Sequence, residues 1–216
     1  MKQLVLIGAS GFVGSAILKE ALSRGHQVTG VVRDPDKLKV THPNFILRPA
    51  DVSTSDSVAE ICALAEVVIS AYNPGWNNPN IYEDTLRVYP EILRGVKKSG
   101  TDRLLIVGGG GSLFVSPRVR LMDTGAIPEE YMPGVRSLAT FYFDFLKPEQ
   151  ELDWVFFSPA GMLFPGERTG IYRLGKDDLI VDSEGKSTIS VEDYAKAMID
   201  EMEQPAHHKE RFTIGY

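Results

Sequence analysis

Glycines 8, 11 and 14 of the stretch GASGFVG are the residues best placed to do chemistry without a reactive side chain. A residue lacking Cβ lets the chain turn tightly from strand to helix and lets its backbone approach a phosphate closely. The helix that follows aims free N–H groups and the positive end of its dipole at the same turn, which favours an anion there. Such a pattern carries weight only with a strand before it and a helix after it. Both are present: Leu4 to Ile7 is an unbroken apolar run, and Phe12, Val13, Ala16, Ile17, Ala21 and Leu22 recur behind it at roughly helical spacing. The stretch reads as a main-chain grip for the pyrophosphate of a dinucleotide, with Gly8, Ser10, Gly11, Phe12, Val13 and Gly14 as contacts. A plain strand-to-helix turn that uses glycine for geometry alone is the other reading.

The second strand, Gln27 to Val32, ends where a dinucleotide of this kind presents its adenosine ribose. Arg33 and Asp34 follow it. An acid binds the free hydroxyls of NAD, whereas an arginine pairs with the 2′-phosphate of NADP. Asp34 has a local use as the cap of a helical turn opening at Pro35. Arg33 has none, so NADP is favoured over NAD. Further on, the apolar strand Glu66 to Ala71 breaks into Tyr72-Asn73-Pro74-Gly75, and α/β sheets place ligands at such strand ends, which adds Ala71, Tyr72 and Asn73 to the coenzyme side. The fifth strand, Arg103 to Val107, opens into four consecutive glycines, a costly run implying that backbone at Gly108 and Gly109 passes close to another group.

The elements that must hold these residues alternate strand and helix, with further strands at Phe45 to Leu47, Leu152 to Ser158 and Phe212 to Ile214. Ser53 or Ser55 is positioned to cap a helix running to about Ala65. A long helix spans Ile81 to Ser99, with a kink or break expected near Tyr89 because Pro90 follows. The stretch from about Arg136 to Leu146 reads as a packing helix. Ile171 to Leu174 and Leu179 to Val181 suggest a hairpin over the substrate end of the cleft, and Ser190 to Asp193 a capping box for the last helix. The fold class is α/β: a single Rossmann-like doubly wound parallel sheet with a reduced C-terminal substrate lobe, one domain over residues 1–216 with its covering segment at about 160–190. Adjacent His207 and His208 read as solvated.

A net charge of −6 and the lack of a basic cluster argue against nucleic acid and for a small-molecule substrate. Cys62, the one cysteine, excludes an intrachain disulfide and reads as a buried helix residue, and no metal site is expected. No apolar run approaches the roughly 20 residues that cross a bilayer, and the opening MKQLVLIG is too short for a secretory signal. No membrane partner and a cytoplasmic location are the expectation, with a homodimer as one allowed assembly.

GASGFVG matches throughout the G-A-[ST]-G-x-[VIL]-G turn of extended and atypical short-chain dehydrogenase/reductases. With GASGFVGSAI, VVRDPDKL and the run SPAGMLFPGERTGIYRLGKDDLIVDSEGKSTISVEDYAKAMIDEMEQP, nearly the whole chain resembles the atypical branch. More narrowly, it is similar to bacterial proteins grouped as NAD(P)H-flavin reductases or as NAD-dependent epimerase/dehydratase-like proteins, and to the biliverdin-IXβ/flavin reductases. The resemblance implies a Rossmann-type domain, Asp51 and Val52 beside the adenine, Pro159 near the nicotinamide, and Ser112 as the hydroxyl nearest the family's catalytic serine. Asp51 as a mere turn-starter and Ser112 as ordinary turn chemistry stay open.

One family motif is missing. Classical members carry Y-x-x-x-K on one helix, where the ammonium lowers the phenol's pKa so that the tyrosine can pass a proton to a carbonyl. Here Tyr131 is followed four places on by Val135, Tyr142 by Leu146 and Tyr194 by Met198, while Lys147, five past Tyr142, falls on another helix face. Either Ser112, Tyr131 or solvent supplies the proton, or no carbonyl is reduced. Three readings follow: an NADPH-dependent reductase of a flavin, quinone or similar planar acceptor; an epimerase/dehydratase; and a non-catalytic NADP sensor like the nitrogen-metabolite-repression regulators.

Overall fold

The computed structural model describes all 216 residues. Strand and helix alternate from the start: β1 (Gln3–Ile7), α1 (Phe12–Ser23), β2 (Gln27–Val32), β3 (Phe45–Pro49), α2 (Ser55–Cys62), β4 (Val67–Ser70), α3 (Ile81–Ser99) and β5 (Arg103–Val107). A small antiparallel pair, β6 (Phe114–Ser116) and β7 (Val119–Arg120), precedes α4 (Met132–Phe141) and β8 (Asp153–Ser158). Then come β9 (Met162–Phe164), β10 (Arg173–Gly175), β11 (Thr188–Ser190), α5 (Val191–Glu203) and β12 (Glu210–Gly215).

Seven strands run parallel in the order β3-β2-β1-β4-β5-β8-β12, and antiparallel β10 is added outside β12. The order reverses between β1 and β4, which makes this a Rossmann-like doubly wound sheet whose crevice opens at the C-terminal ends of those strands. The packing explains the composition of the strands. Helices α1 and α5 seal one face over 25 buried residues and α2, α3 and α4 the other over 21, so β1, β4 and β5 are apolar on both sides rather than alternating. Burying each large side chain, such as Trp154, Tyr89 or Phe156, contributes on the order of 2 kcal/mol. Gly25 and Gly100 both take φ +79° just where α1 and α3 stop, the left-handed exit that glycine adopts without strain.

Several expectations are corrected. Thr54, not Ser53 or Ser55, caps α2: its backbone is extended, its Oγ1 accepts from the Ser57 N–H, and the helix ends at Cys62 rather than Ala65. Pro90 is buried within an α3 that continues through it, so no break occurs at Tyr89. The helix expected from Arg136 starts at Met132, and residues Tyr142–Leu146 form a π-turn closed by the Lys147 N–H on the Tyr142 carbonyl at 2.8 Å. The hairpin expected over 171–181 does not form. Arg173–Gly175 instead pairs with β12, while Asp178 bridges to Phe114, because three-residue strands gain more from an existing sheet edge than from each other. Cys62 is buried as expected, and burial pushes its thiol up to about 12, which leaves it unreactive at neutral pH.

His207 is not solvated either. Its ring stacks on Phe212 at 4.1 Å and its Nδ1 pairs with Glu201 at 2.7 Å, and only His208 is exposed. Phe12, one of the apolar residues at helical spacing in α1, is 51% exposed, its turn standing just beyond the C-terminal end of β1. No helix is long and apolar enough to cross a membrane.

Candidate active site

The chain leaves β1 at Gly8 with φ +81°, and a Cβ there would fall 2.5 Å from the Ala71 carbonyl oxygen at the end of β4. A Cβ on Gly14 would fall 2.1 Å from the Gly8 oxygen, so α1 rides directly on the turn. The Gly11 N–H donates to the Gly8 carbonyl at 3.0 Å, closing the loop. No side chain caps α1, and no acid stands in its first turn, so its leading N–H groups stay free for an anion from outside. A phosphate fits a cradle of this shape and polarity. Gly8, Gly11 and Gly14, with Ser10, Phe12 and Val13 between them, would hold the pyrophosphate of a nicotinamide dinucleotide.

At the next strand ends, those of β2 and β3, lie the residues expected beside the adenosine. Arg33 is exposed and makes no ion pair, while Asp34 accepts from the Asp36 N–H at 3.1 Å and stands 3.7 Å from Lys37. Asp34 is thus the cap expected of it, although the turn it opens is a single one, Pro35–Lys37. Asp51 accepts from the Ser53 N–H at 2.9 Å. That bond, with the Ser53 hydroxyl next and the Arg87 and Arg33 charges behind, holds its carboxyl below the usual range. Val52 beside it is buried.

On the other side of β1, the Ala71 N–H donates to the Ile7 carbonyl at 2.9 Å, and the Tyr72 carbonyl accepts from Tyr89 Oη at 2.9 Å. Asn73 Oδ1 accepts from the Gly75 N–H at 2.7 Å, which fixes the loop that leads to Trp76. Trp76 is 49% exposed and meets Tyr131, 43% exposed, edge to face with ring centres 5.5 Å apart. The start of α4 comes so close that a Cβ on Gly134 would lie 2.7 Å from the Trp76 ring. Sequence reasoning placed Trp76 in a loop and gave it no role. The signal was available, since a large aromatic in an Asn- and Pro-rich loop after a buried strand has no core to enter.

The glycine run after β5 approaches protein rather than open crevice over most of its length. A Cβ on Gly108 would meet the Phe156 ring at 2.6 Å, and one on Gly111 would meet Val135 at 2.2 Å. Gly109 is the loosest of the four, and Gly110 packs on the Pro159 carbonyl after β8. Ser112 is 3% exposed, and its Oγ accepts from an Arg211 guanidinium at 2.9 Å. Its hydroxyl is built into an internal arginine contact, whereas that of Tyr131 belongs to an exposed side chain. The structure therefore places the three cradle glycines, Ala71, Tyr72, Asn73, Gly109 and Pro159 at the C-terminal ends of β1, β4, β5 and β8, sets Tyr131 before α4 against Trp76, and buries Ser112 on Arg211.

Comparison with known proteins agrees with this geometry. A Bacteroides thetaiotaomicron protein provisionally named an epimerase is 60% identical and superposes with a TM-score of 0.95, over 100% of this chain and 97% of that one. A Streptococcus pneumoniae protein provisionally named an NADH-flavin reductase is 32% identical with a TM-score of 0.81, over 100% and 99%. YwnB of Bacillus subtilis, itself uncharacterized, is 38% identical over 212 residues, which is 97% of this chain and 96% of that protein. The NAD(P)H-binding family model matches residues 8–205, beginning at the first glycine of the cradle, and the chain belongs to that family of Rossmann-fold oxidoreductases.

Proposed function

We propose that this chain is an NADPH-dependent reductase of a flat, conjugated small molecule, a flavin or a quinone. The observation that carries the reading is the half-exposed Trp76–Tyr131 pair, aromatic surface whose tryptophan is carried on the loop that leaves β4, the strand whose end at Ala71 packs on the Gly8 turn. The coenzyme, when bound, supplies a hydride. The cradle glycines would hold its pyrophosphate, Arg33 would pair with its 2′-phosphate, Asp51 and Val52 would flank the adenine, and Ala71 to Asn73, Gly109 and Pro159 would border the nicotinamide. Trp76 gives the acceptor a face to lie on.

A flavin or quinone accepts a hydride at an already electrophilic centre and can take its proton from water or from the exposed Tyr131 hydroxyl. The missing tyrosine–lysine pair is then no obstacle. The same absence weighs against the epimerase name carried by the Bacteroides relative, since Tyr142 is buried beneath Arg211 and Tyr194 is buried with its Oη on the Phe157 carbonyl at 2.6 Å. The name of the Streptococcus relative supports the reductase reading. The test follows NADPH oxidation with FMN, FAD, menadione and biliverdin in turn. Turnover on a flavin or quinone is expected. Tight NADPH binding with no turnover on any of the four would overturn the reading in favour of a sensor.

A further inference from the structure

Away from the crevice, the β6–β7 pair, the end of α4 and the start of β12 enclose a cleft of about 350 Å³. Five cationic side chains line it, Arg120, Lys147, Lys176, Lys209 and Arg211, against two acids, Asp177 and Glu210. Both acids are committed: Asp177 pairs with Arg211, and Glu210 with Lys176 at 3.0 Å. Arg120, Lys147 and Lys209 make no ion pair, the Lys209 ammonium donating only to the Gln150 carbonyl, so three positive charges face no carboxylate in one hollow of a chain whose net charge is −6. Mutual repulsion of this kind persists at a cost unless an anion joins it.

The cations are also positioned. The Arg120 guanidinium lies 4.4 Å above the Phe143 ring, with the Lys147 ammonium 6.0 Å from the same ring, and Arg211 lies 4.8 Å above Tyr142. The π-turn at Tyr142–Leu146 is what brings Phe143 and Lys147 to the cleft, and such turns within helices recur at functional sites. Lys209, at φ +52°, holds a left-handed backbone that lysine rarely adopts.

We infer that this cleft is a second binding site, for a compact, multiply charged phosphate anion. A guanidinium braced on a ring and two ammonium groups match the tetrahedral oxygens of phosphate. The Phe143 and Tyr142 rings are already covered by cations, and a chain of net charge −6 offers no extended basic track for a polynucleotide. The site stands apart from the proposed reaction and does not depend on it.

Isothermal titration of inorganic pyrophosphate into the wild type and into the Lys147→Glu/Lys209→Glu variant tests the inference. Both lysines are exposed, so the variant is expected to fold, as its melting curve would verify. In protein presaturated with NADPH, which closes the glycine cradle to pyrophosphate, one saturable site is expected in the wild type, weakened about tenfold or more in the variant, with NADPH affinity equal in both proteins. Unsaturable heats would overturn the inference, and so would saturable binding that the variant retains with the cradle occupied, since pyrophosphate would then be held by other residues.

Discussion

The two ends of the sheet are built in opposite ways. At the C-terminal ends of the strands the working surface is main chain, glycine and half-exposed aromatic rings. At the N-terminal ends of β5 and β8 it is charge. Arg103, 8% exposed, pairs with Asp153 and, at 2.6 Å, with Glu201 of α5, whose carboxylate also takes the Ala206 and His207 N–H groups at 3.1 and 3.0 Å. One end is left open to a ligand, and the other is fastened by ion pairs within the protein. The difference teaches that the most conspicuous cluster of charged residues in an α/β chain need not be its site.

If that division holds, Arg103→Met should lower stability by about 3 kcal/mol, because it takes the guanidinium from the buried Glu201 carboxylate and from Asp153, yet leave NADPH affinity unchanged. Thermal melting and a binding titration check this, and an equal loss in both would break the comparison. Gly14→Val should do the reverse in emphasis. With its Cβ 2.1 Å from the Gly8 oxygen, it should weaken NADPH binding by at least about a hundredfold, roughly 2.7 kcal/mol. Trp76→Ala should cut kcat/KM for a flavin or quinone by about tenfold at unaltered NADPH affinity. A similar figure, about tenfold, is expected for the loss of NADPH over NADH preference in Arg33→Ala, read from the two dissociation constants.

The smallest effect concerns Asp193. Burial works against its ionisation, but hydrogen bonds from Thr169 Oγ1, the Gly170 N–H and Tyr216 Oη outweigh it and hold the pKa below the ordinary value. Its folded pKa lies below its unfolded one, so its contribution to stability is complete above about pH 4 and fades as the pH falls through the folded value. Melting temperature followed downward from pH 6 should show this slope, and Asp193→Asn should flatten it.

The coenzyme half was legible because its signals are local: three glycines at fixed spacing, apolar runs of four or five, and helix stops at Gly25 and Gly100. The bounds of β2, α3 and β5 could be read residue by residue. The substrate side was not, for a physical reason. Strands β9, β10 and β11 have three residues each, too few to show a period, and their partners lie far off in sequence. Ser112 looked free beside four glycines, because nothing local reveals that Arg211, 99 residues away, donates to it. Ser190 does cap α5, but Asp193 turns its carboxylate outward to Thr169, Gly170 and Tyr216, so only half of the expected reciprocal box exists.

The Tyr89 hydroxyl on the Tyr72 carbonyl, together with Asn73 closing on Gly75, means that the strap leaving β4 is set before any guest arrives. Little backbone freedom is then left to be surrendered on docking. Cutting that tether with Tyr89→Phe should show itself as slower arrival and a more unfavourable entropy of association, while the final complex keeps its shape.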